Sequence, residues 1–285
     1  TAPGGEGGYT LLADITKSFD VVPISQEFQS LPEDLDVLFV AHPPELSARQ
    51  EWLIDQYILR HGRAVIMVAP AAKTAMGGGM FGTSRDHPRS DLGALGKAWG
   101  VTLSEDAVAD AANALPVPVD TGNGRMEELA HPLFIGAPAA AMNANDLVTA
   151  DLTRNVNFGA PGALLAGTLP DGEVFSPLIS TGPSPSYMDA QVAVRDMTPG
   201  DVLKSYKTSP QPLVLAARLS GSLTTAFPAG APALDEPADP GLAELARAEA
   251  ANALPHISRS ETNAEIVLIA DVDALADDFY IIPGR

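Results

Sequence analysis

The chain of 285 residues has no cysteine, only 6% aromatic residues, and 17 Lys and Arg against 36 Asp and Glu, a net charge of −19. The lack of cysteine excludes disulfides, thiolate metal sites and a thiol nucleophile. The shortage of positive charge makes nucleic acid and anionic membranes poor partners, and we expect a solvated acidic surface. No apolar run approaches the roughly 18 residues of a membrane span. Because the chain starts at Thr1 rather than Met, we expect it to be an excised or processed piece.

The clearest structural signal is a strand–helix–strand unit between residues 31 and 70. Two apolar, Val-rich runs, residues 35–41 and 63–69, are typical of parallel strands covered on both faces. Between them, Ser47 and Gln50 form a capping-box pattern, apolar residues recur at helical spacing, and Gly62 provides a left-handed stop. A crossover of this length joins parallel strands.

Further strands are predicted at residues 19–24 (an edge strand, because Pro23 cannot donate to a ladder), 174–181, 212–219 and 265–270. A helix is predicted within residues 237–254, with Leu242, Leu245 and Ala246 facing inward. Residues 101–172 are rich in Ala, Pro, Asn and Gly, and short strands are expected there near 107–109 and 117–119. The pattern predicts one α/β domain over residues 1–285. Its sheet is expected to be mostly parallel and open, with helices on both faces (flavodoxin-like or class I amidotransferase-like), and with irregular insertions in a loop-rich middle section.

In such a sheet, ligands bind at the carboxyl ends of the strands. That rule makes the loops after the predicted strands the candidate ligand-binding rim, with no catalytic residue and no metal ligand assigned. The rim residues are His42, Pro43, Pro70, Gly78, Thr181, Ser184 and Asp271.

No reaction is indicated by the remaining motifs, and no cofactor is expected. The serines at 184 and 222 do not lie in a G-x-S-x-G elbow, and the five histidines show no metal-binding spacing. Residues 77–79 are three consecutive glycines, but no Lys-Ser/Thr pair follows them, which favours a surface loop over a phosphate loop. The carboxylates between Asp271 and Asp278 suit helix capping better than Ca²⁺ binding, because no EF-hand glycine or closing Glu is present.

Several segments, in the same order along the chain, resemble the auxiliary component of ABC-type transport systems linked to gliding motility. The segments that carry the resemblance are Leu31 to Leu38 (LPEDLDVL), Leu46-Ser47, Ile54 to Arg63 (IDQYILRHGR), Pro177 to Thr181 (PLIST), Leu219 to Gly221 and Ile266 to Leu275. The resemblance implies a non-enzymatic extracytoplasmic domain. It also implies a place on the periplasmic side of the bacterial inner membrane, anchored by transmembrane helices outside this sequence, and an ABC permease and ATPase as partners.

Two functions therefore remain open. The chain is either an interaction module of a transport complex or a periplasmic binding protein for a small molecule such as a carbohydrate. A deep rim pocket with an aromatic floor would favour the binding protein. A shallow rim with a broad apolar patch on one face would favour the interaction module.

Overall fold

A computed structural model describes residues 10–73, 88–120, 125–195, 197–236, 238–251 and 254–280. It confirms the strand–helix–strand unit, which consists of β1 (Leu38–Ala41), α2 (Ala48–His61) and β2 (Arg63–Met67). Ser47 and Gln50 form the reciprocal capping box, and Gly62 ends α2 in the left-handed conformation with φ 74°. β1 and β2 pair in parallel, with Leu38 opposite Ala64. Local capping signals were sufficient to predict this unit.

The other elements follow in chain order. The helices are α1 (Thr10–Ile15), α3 (Gly93–Ala98), α4 (Ala190–Ala193), α5 (Pro199–Lys204), α6 (Pro240–Ala251) and α7 (Asp277–Tyr280), with 3₁₀ turns at Ala139–Ala141 and Asp273–Leu275. The strands are β3 (Val101–Leu103), β4 (Ala107–Ala109), β5 (Ala114–Asp120), β6 (Met126–Ala137), β7 (Val156–Gly159), β8 (Leu164–Ala166), β9 (Glu173–Ser180), β10 (Ser186–Met188), β11 (Val214–Gly221) and β12 (Ala264–Ile269).

The predicted mostly parallel, flavodoxin-like sheet is wrong. The largest sheet has the order β1-β2-β12-β11-β9, in which only β1, β2 and β12 pair in parallel. β11 is antiparallel to both of its neighbours, and the smaller sheets β10-β4, β3-β8 and β5-β6-β7 are antiparallel. An apolar run shows that a strand is buried but not which way it points, so the direction of β11 could not be predicted from its composition.

In the described part of the chain, α2 and α3 pack on one face of the large sheet, and the opposite face is covered only in part. On one face, residues such as Leu38, Ile266 and Leu219 are buried in a core that includes Ile58 of α2 and Trp99 after α3. On the opposite face, the ends of the strands toward Met67 and Ile269 pack against apolar clusters built from α1, β6 and β7. The other half of that face carries exposed and partly buried side chains.

Two further expectations differ from the structure. Residues 19–24 form no strand, and Phe19, Val21 and Val22 are exposed. α6 is present, but it turns Ala243 and Ala246 inward and leaves Leu242 and Leu245 more than half exposed. The buried face of α6 is thus the alanine face, one position away from the leucines. The helical periodicity of the sequence fits either face and does not show which one packs against the protein.

Candidate functional site

The loops at the carboxyl ends of β1 and β2 are held together by a hydrogen-bonded link between His42, Ala69 and Ser90. The Ser90 Oγ lies 2.8 Å from His42 Nδ1 and accepts a hydrogen bond of 3.1 Å from the Ala69 N–H. His42 itself has a left-handed backbone with φ 46°, which is strained for a residue other than glycine. Burial lowers the pKa of His42, and the charge of Asp273 offsets part of that effect. This link ties three segments of the edge into one rigid unit.

Asp271, which follows β12, lies inside the protein at this same edge. Its carboxylate accepts hydrogen bonds from the N–H groups of Gly159 at 2.7 Å and Asp273 at 2.9 Å. Asp273 is also buried, and its carboxylate accepts a hydrogen bond of 2.8 Å from the Lys73 N–H. Burial raises the pKa of Asp271 well above its ordinary value, and the neighbouring Asp273 charge adds to the increase. The two carboxylates fasten the end of β7 and the loop after β2 to the sheet.

Among the described residues of the predicted rim, Pro70 and Asp271 are buried by the protein itself. Pro70 is buried, and Gly162 approaches its ring so closely that an added Cβ would lie 3.0 Å from it. A cleft of about 490 Å³ lies beside Pro43 and Pro44. The remaining described residues that line it are Glu45, Leu46, Glu51, Arg89, Ser90, Asp91, Gly93, Ala94 and Lys97, and none of the lining residues is aromatic. The cleft is polar, with charges of both signs.

The structure separates the predicted site residues into two groups. His42, Pro43, Pro70 and Asp271 lie at the ends of β1, β2 and β12, whereas Thr181 and Ser184 follow β9. β9 stands four strand positions from β1, which at about 4.8 Å per strand is about 19 Å. The Thr181 hydroxyl accepts a hydrogen bond from the Leu213 N–H, and the Ser184 carbonyl accepts one from the Tyr206 hydroxyl. Gly78 lies outside the described residues. The six described residues therefore lie in two separate places rather than around one small-molecule pocket.

Sequence reasoning missed a second surface, on the half of the large sheet that the described residues cover only in part. The pairing register places two rows of side chains side by side on this face, and we call them together the open strip. The first row is Phe39, Val65, Val267, Arg218 and Ser176, and the second is Arg63, Glu265, Ser220 and Val174. Phe39 is 41% exposed and Val174 54% exposed, whereas Leu38, which points to the other face, is 4% exposed. Val65 and Val267, in the first row, are only partly exposed because they pack against the apolar clusters of this face. The strip is therefore a mixed polar and apolar surface that the chain covers in part.

A network of charges holds one side of the open strip. The Arg218 guanidinium contacts the Asp146 carboxylate at 2.8 Å and the Glu265 carboxylate at 2.6 Å. Asp146 also accepts a hydrogen bond from the Val148 N–H, which fixes the turn that carries Leu147. Leu147 is 99% exposed. An apolar side chain thus projects from a hydrogen-bonded turn beside the strip.

The amino-terminal end of β9 holds a buried acid that the sequence did not indicate. Glu173 is 8% exposed, and neither carboxylate oxygen makes a well-formed hydrogen bond within the described part of the chain. Burial raises the pKa of Glu173 to about 7, although the nearby Thr224 N–H offsets part of the increase. An acid placed after a turn and before an apolar run reads as exposed in the sequence, and only the strand pairing shows that it is enclosed.

The chemistry available at these places is limited. Ser90 and His42 are in contact, but the serine is buried and its oxygen already accepts the Ala69 N–H, an arrangement that suits a structural link better than a nucleophile. Within the described ranges, no group of three or more His, Asp or Glu side chains is arranged to hold a metal ion. No helix in those ranges is long and apolar enough to cross a bilayer.

Comparison with known proteins identifies the family of the chain. Neither the curated proteins nor the solved structures contain a match to the chain. A family model does match it, over residues 2–284, which is nearly the whole chain. That model is described as "ABC-type uncharacterized transport system" and represents an auxiliary component of such systems. The chain therefore belongs to the ABC-type uncharacterized transport system family, as an auxiliary component.

Proposed function

We propose that the chain is a non-catalytic extracytoplasmic domain of an ABC transporter auxiliary subunit and that it acts as an interaction module. The observation that carries the proposal is the open strip, a shallow and partly apolar surface in a member of a transport-system family. Exposed apolar patches rimmed by polar residues commonly mark protein–protein interaction sites.

The partners in this proposal are the permease and the ATPase of the same transport system. We place the domain on the periplasmic side of the bacterial inner membrane, anchored by transmembrane helices outside this sequence. Direct contact is with the permease, and the ATPase is reached through it. The net charge of −19 favours a protein surface of positive or neutral character over an anionic lipid surface.

The test is co-purification in detergent. The chain, joined to the anchoring segment of its own gene product, is expressed with the permease and ATPase, and the complex is isolated through a tag on the permease. We expect the chain to co-purify in a fixed ratio, while an unrelated acidic periplasmic protein with the same anchor does not. Absence of the chain from the isolated complex, at equal expression, would contradict the proposal.

A second candidate function is small-molecule binding, and the cleft beside Pro43 favours it. Its volume of about 490 Å³ falls in the range of ligand pockets. The lack of aromatic side chains among its described lining residues argues against a carbohydrate, since sugars commonly stack on aromatic rings.

A thermal-shift screen tests this candidate with sugars, peptidoglycan fragments and divalent cations. A ligand at one hundred times its Kd adds about 2.7 kcal/mol to the free energy of unfolding, which raises the Tm by several degrees. A shift that disappears in Lys97→Ala and persists in Lys204→Ala, a lysine outside the cleft, would establish the site. No shift with any compound would remove this candidate.

A further inference from the structure

We propose that the free edge of β6 binds one extended segment of the permease, which adds a strand there and carries two consecutive Lys or Arg residues. The site is the outer part of the β5–β6 hairpin, residues 115–120 and 126–131, which we call the arm. This inference rests on the proposed function and adds to it a second surface and the chemistry of the segment that this surface binds.

The arm is a two-stranded ribbon that the rest of the chain leaves open. Its strands pair with Leu115 opposite His131 and Asp120 opposite Met126. Among the described residues, β7 pairs with β6 only at residues 134–137, so no strand lies on the other side of β6 between 126 and 131. All five residues from 126 to 130 are exposed. Because an isolated two-stranded ribbon is only marginally stable in water, a third strand would stabilise the arm.

The two edges of the arm differ in their capacity to pair. β5 contains Pro116 and Pro118, which have no N–H, and proline is a common protection of edge strands. These prolines lie opposite Ala130 and Glu128. Since proline cannot donate to the ladder, both pairs are of the kind without ladder hydrogen bonds, in which the N–H and C=O groups point away from the neighbouring strand.

The backbone groups of Glu128 and Ala130 are therefore directed outward from the arm, and alternation along the strand adds those of Met126. No proline interrupts this row of donors and acceptors. An extended backbone matches such a row, because its own N–H and C=O groups alternate with the same spacing. The free edge thus selects a strand, rather than a helix or a small molecule, as its occupant.

The side chains of the arm indicate which sequence the added strand carries. Glu127 and Glu128 are consecutive, so their carboxylates lie on opposite faces of the ribbon. Both are exposed, and neither takes part in an ion pair among the described residues. Arg125, just before β6, already has a partner within the chain. Two consecutive basic residues on the added strand would place one positive charge opposite each carboxylate.

The same two glutamates disfavour a second copy of the chain as the occupant. Two copies of β6 could pair in an antiparallel manner around a two-fold axis. A pair that uses the whole free edge has this axis at Glu128, and its carboxylate then lies opposite its own copy. Like charges directly opposite each other are destabilising, whereas a basic segment brings the opposite charge.

The first experiment measures hydrogen exchange at single-residue resolution, by mass spectrometry, on the free chain and on the detergent-purified complex with the permease. We expect the amides of Met126, Glu128 and Ala130 to exchange at least tenfold more slowly in the complex. The amides of Glu127 and Leu129, which face β5, should change less than twofold. No slowing, or slowing without this alternation, would contradict strand addition.

The second experiment reverses the charges of the arm. The double variant Glu127→Lys/Glu128→Lys is compared with Glu244→Lys/Glu249→Lys, which makes the same change in net charge at two exposed positions of α6. Tm measurements on the free variants show that both are folded. We expect the arm variant to raise the Kd for the permease at least tenfold and the control to change it less than twofold.

Photo-crosslinking identifies the bound segment. Benzoylphenylalanine in place of Leu129 (37% exposed) should crosslink to a permease segment with two consecutive Lys or Arg residues, and the same group in place of Val192 (38% exposed) should not. If the wild-type complex forms but the folded arm variant binds as well as its control, the arm is wrong and the proposed function stands. If the wild-type complex does not form, both fail. Crosslinking of position 129 to a second copy of the chain would also overturn the inference.

Discussion

Glu173 should make the protein less stable as the pH rises from 5 to 8. Its carboxyl is buried at the start of β9 without a well-formed hydrogen bond, and burial raises its pKa from 4.5 to about 7. Between these two values the folded protein holds a proton that the unfolded chain has released. The free energy of unfolding therefore falls with increasing pH in this window, and the contribution of the neutral acid is fully present only below about pH 4.5.

The size of the effect follows from the pKa difference. A shift of 2.5 units, from 4.5 to about 7, sets a ceiling of about 3.4 kcal/mol at 1.36 kcal/mol per unit. Water that reaches a strand end reduces the cost of a buried charge, so about 2 kcal/mol is the expected value at pH 8. For a protein of this size that corresponds to a Tm difference of about 4 to 8 °C.

The perturbation is Glu173→Gln, which keeps the shape of the side chain and removes its ionisation. We expect the variant to match the wild type at pH 4 and to exceed it by about 2 kcal/mol at pH 8, measured by urea denaturation at both values. Glu244→Gln, at an exposed position of α6, changes the net charge equally and is the control. If both variants shift stability by the same amount at pH 8, the effect comes from the overall charge, and the reasoning from burial is refuted.

Three more predictions concern stability, each measured by urea denaturation. Gly62→Ala should lower the free energy of unfolding by about 2 kcal/mol, because φ is 74° and the new Cβ would lie 2.8 Å from a carbonyl oxygen. Gly230→Ala, with φ 95° and open space around it, should lower it by about 1 kcal/mol. Equal losses would contradict the contribution assigned to the steric clash at Gly62. Asp55→Ala should lower the free energy of unfolding by about 3 kcal/mol, because it removes the acceptor for the Thr225 hydroxyl and for a backbone N–H. Thr225→Val, which removes one of these hydrogen bonds, should lower it by about 1 kcal/mol. A larger loss in Thr225→Val than in Asp55→Ala would be evidence against this network. Ser90→Ala should lower the free energy of unfolding by about 1 to 2 kcal/mol, because the Ser90 hydroxyl contacts both His42 and the Ala69 N–H. The variant should still assemble with the permease, and loss of assembly would show that the rim takes part in binding.

The sequence predicted best where the structural signals were local. The capping residues Ser47 and Gln50 and the stop at Gly62 lie within one helix, so no knowledge of the rest of the chain was needed to place α2. The strand at 265–270 was likewise visible as a short apolar run, and β12 occupies almost the same residues. The family was also recognisable from short segments in a fixed order, and the family match confirms the transport-system assignment but not the link to gliding motility.

The features that sequence reasoning missed depend on which strands become neighbours. Phe39, Val65 and Val267 come from three distant segments, and only the register of β1, β2 and β12 brings them together. A signal for the open face was nevertheless present. Arg63 begins β2 and Glu265 is the second residue of β12, so each strand carries a charged residue on this face, although the residues that follow are continuously apolar and predicted cover on both faces. The predicted rim stays a prediction, since the structure places its residues in two groups.

The position of β12 has a consequence for how the chain reaches its native state. β12 stands between β2 and β11, so the last strand of the described chain completes the middle of the sheet. Its partner β2 lies about 200 residues earlier, and pairing across such a separation makes folding slow. During synthesis, β2 and β11 each present an unpaired edge until residues 264–269 become available. The core therefore cannot close until residues 264–269 are available, and until then the unpaired edges of β2 and β11 are open to aggregation.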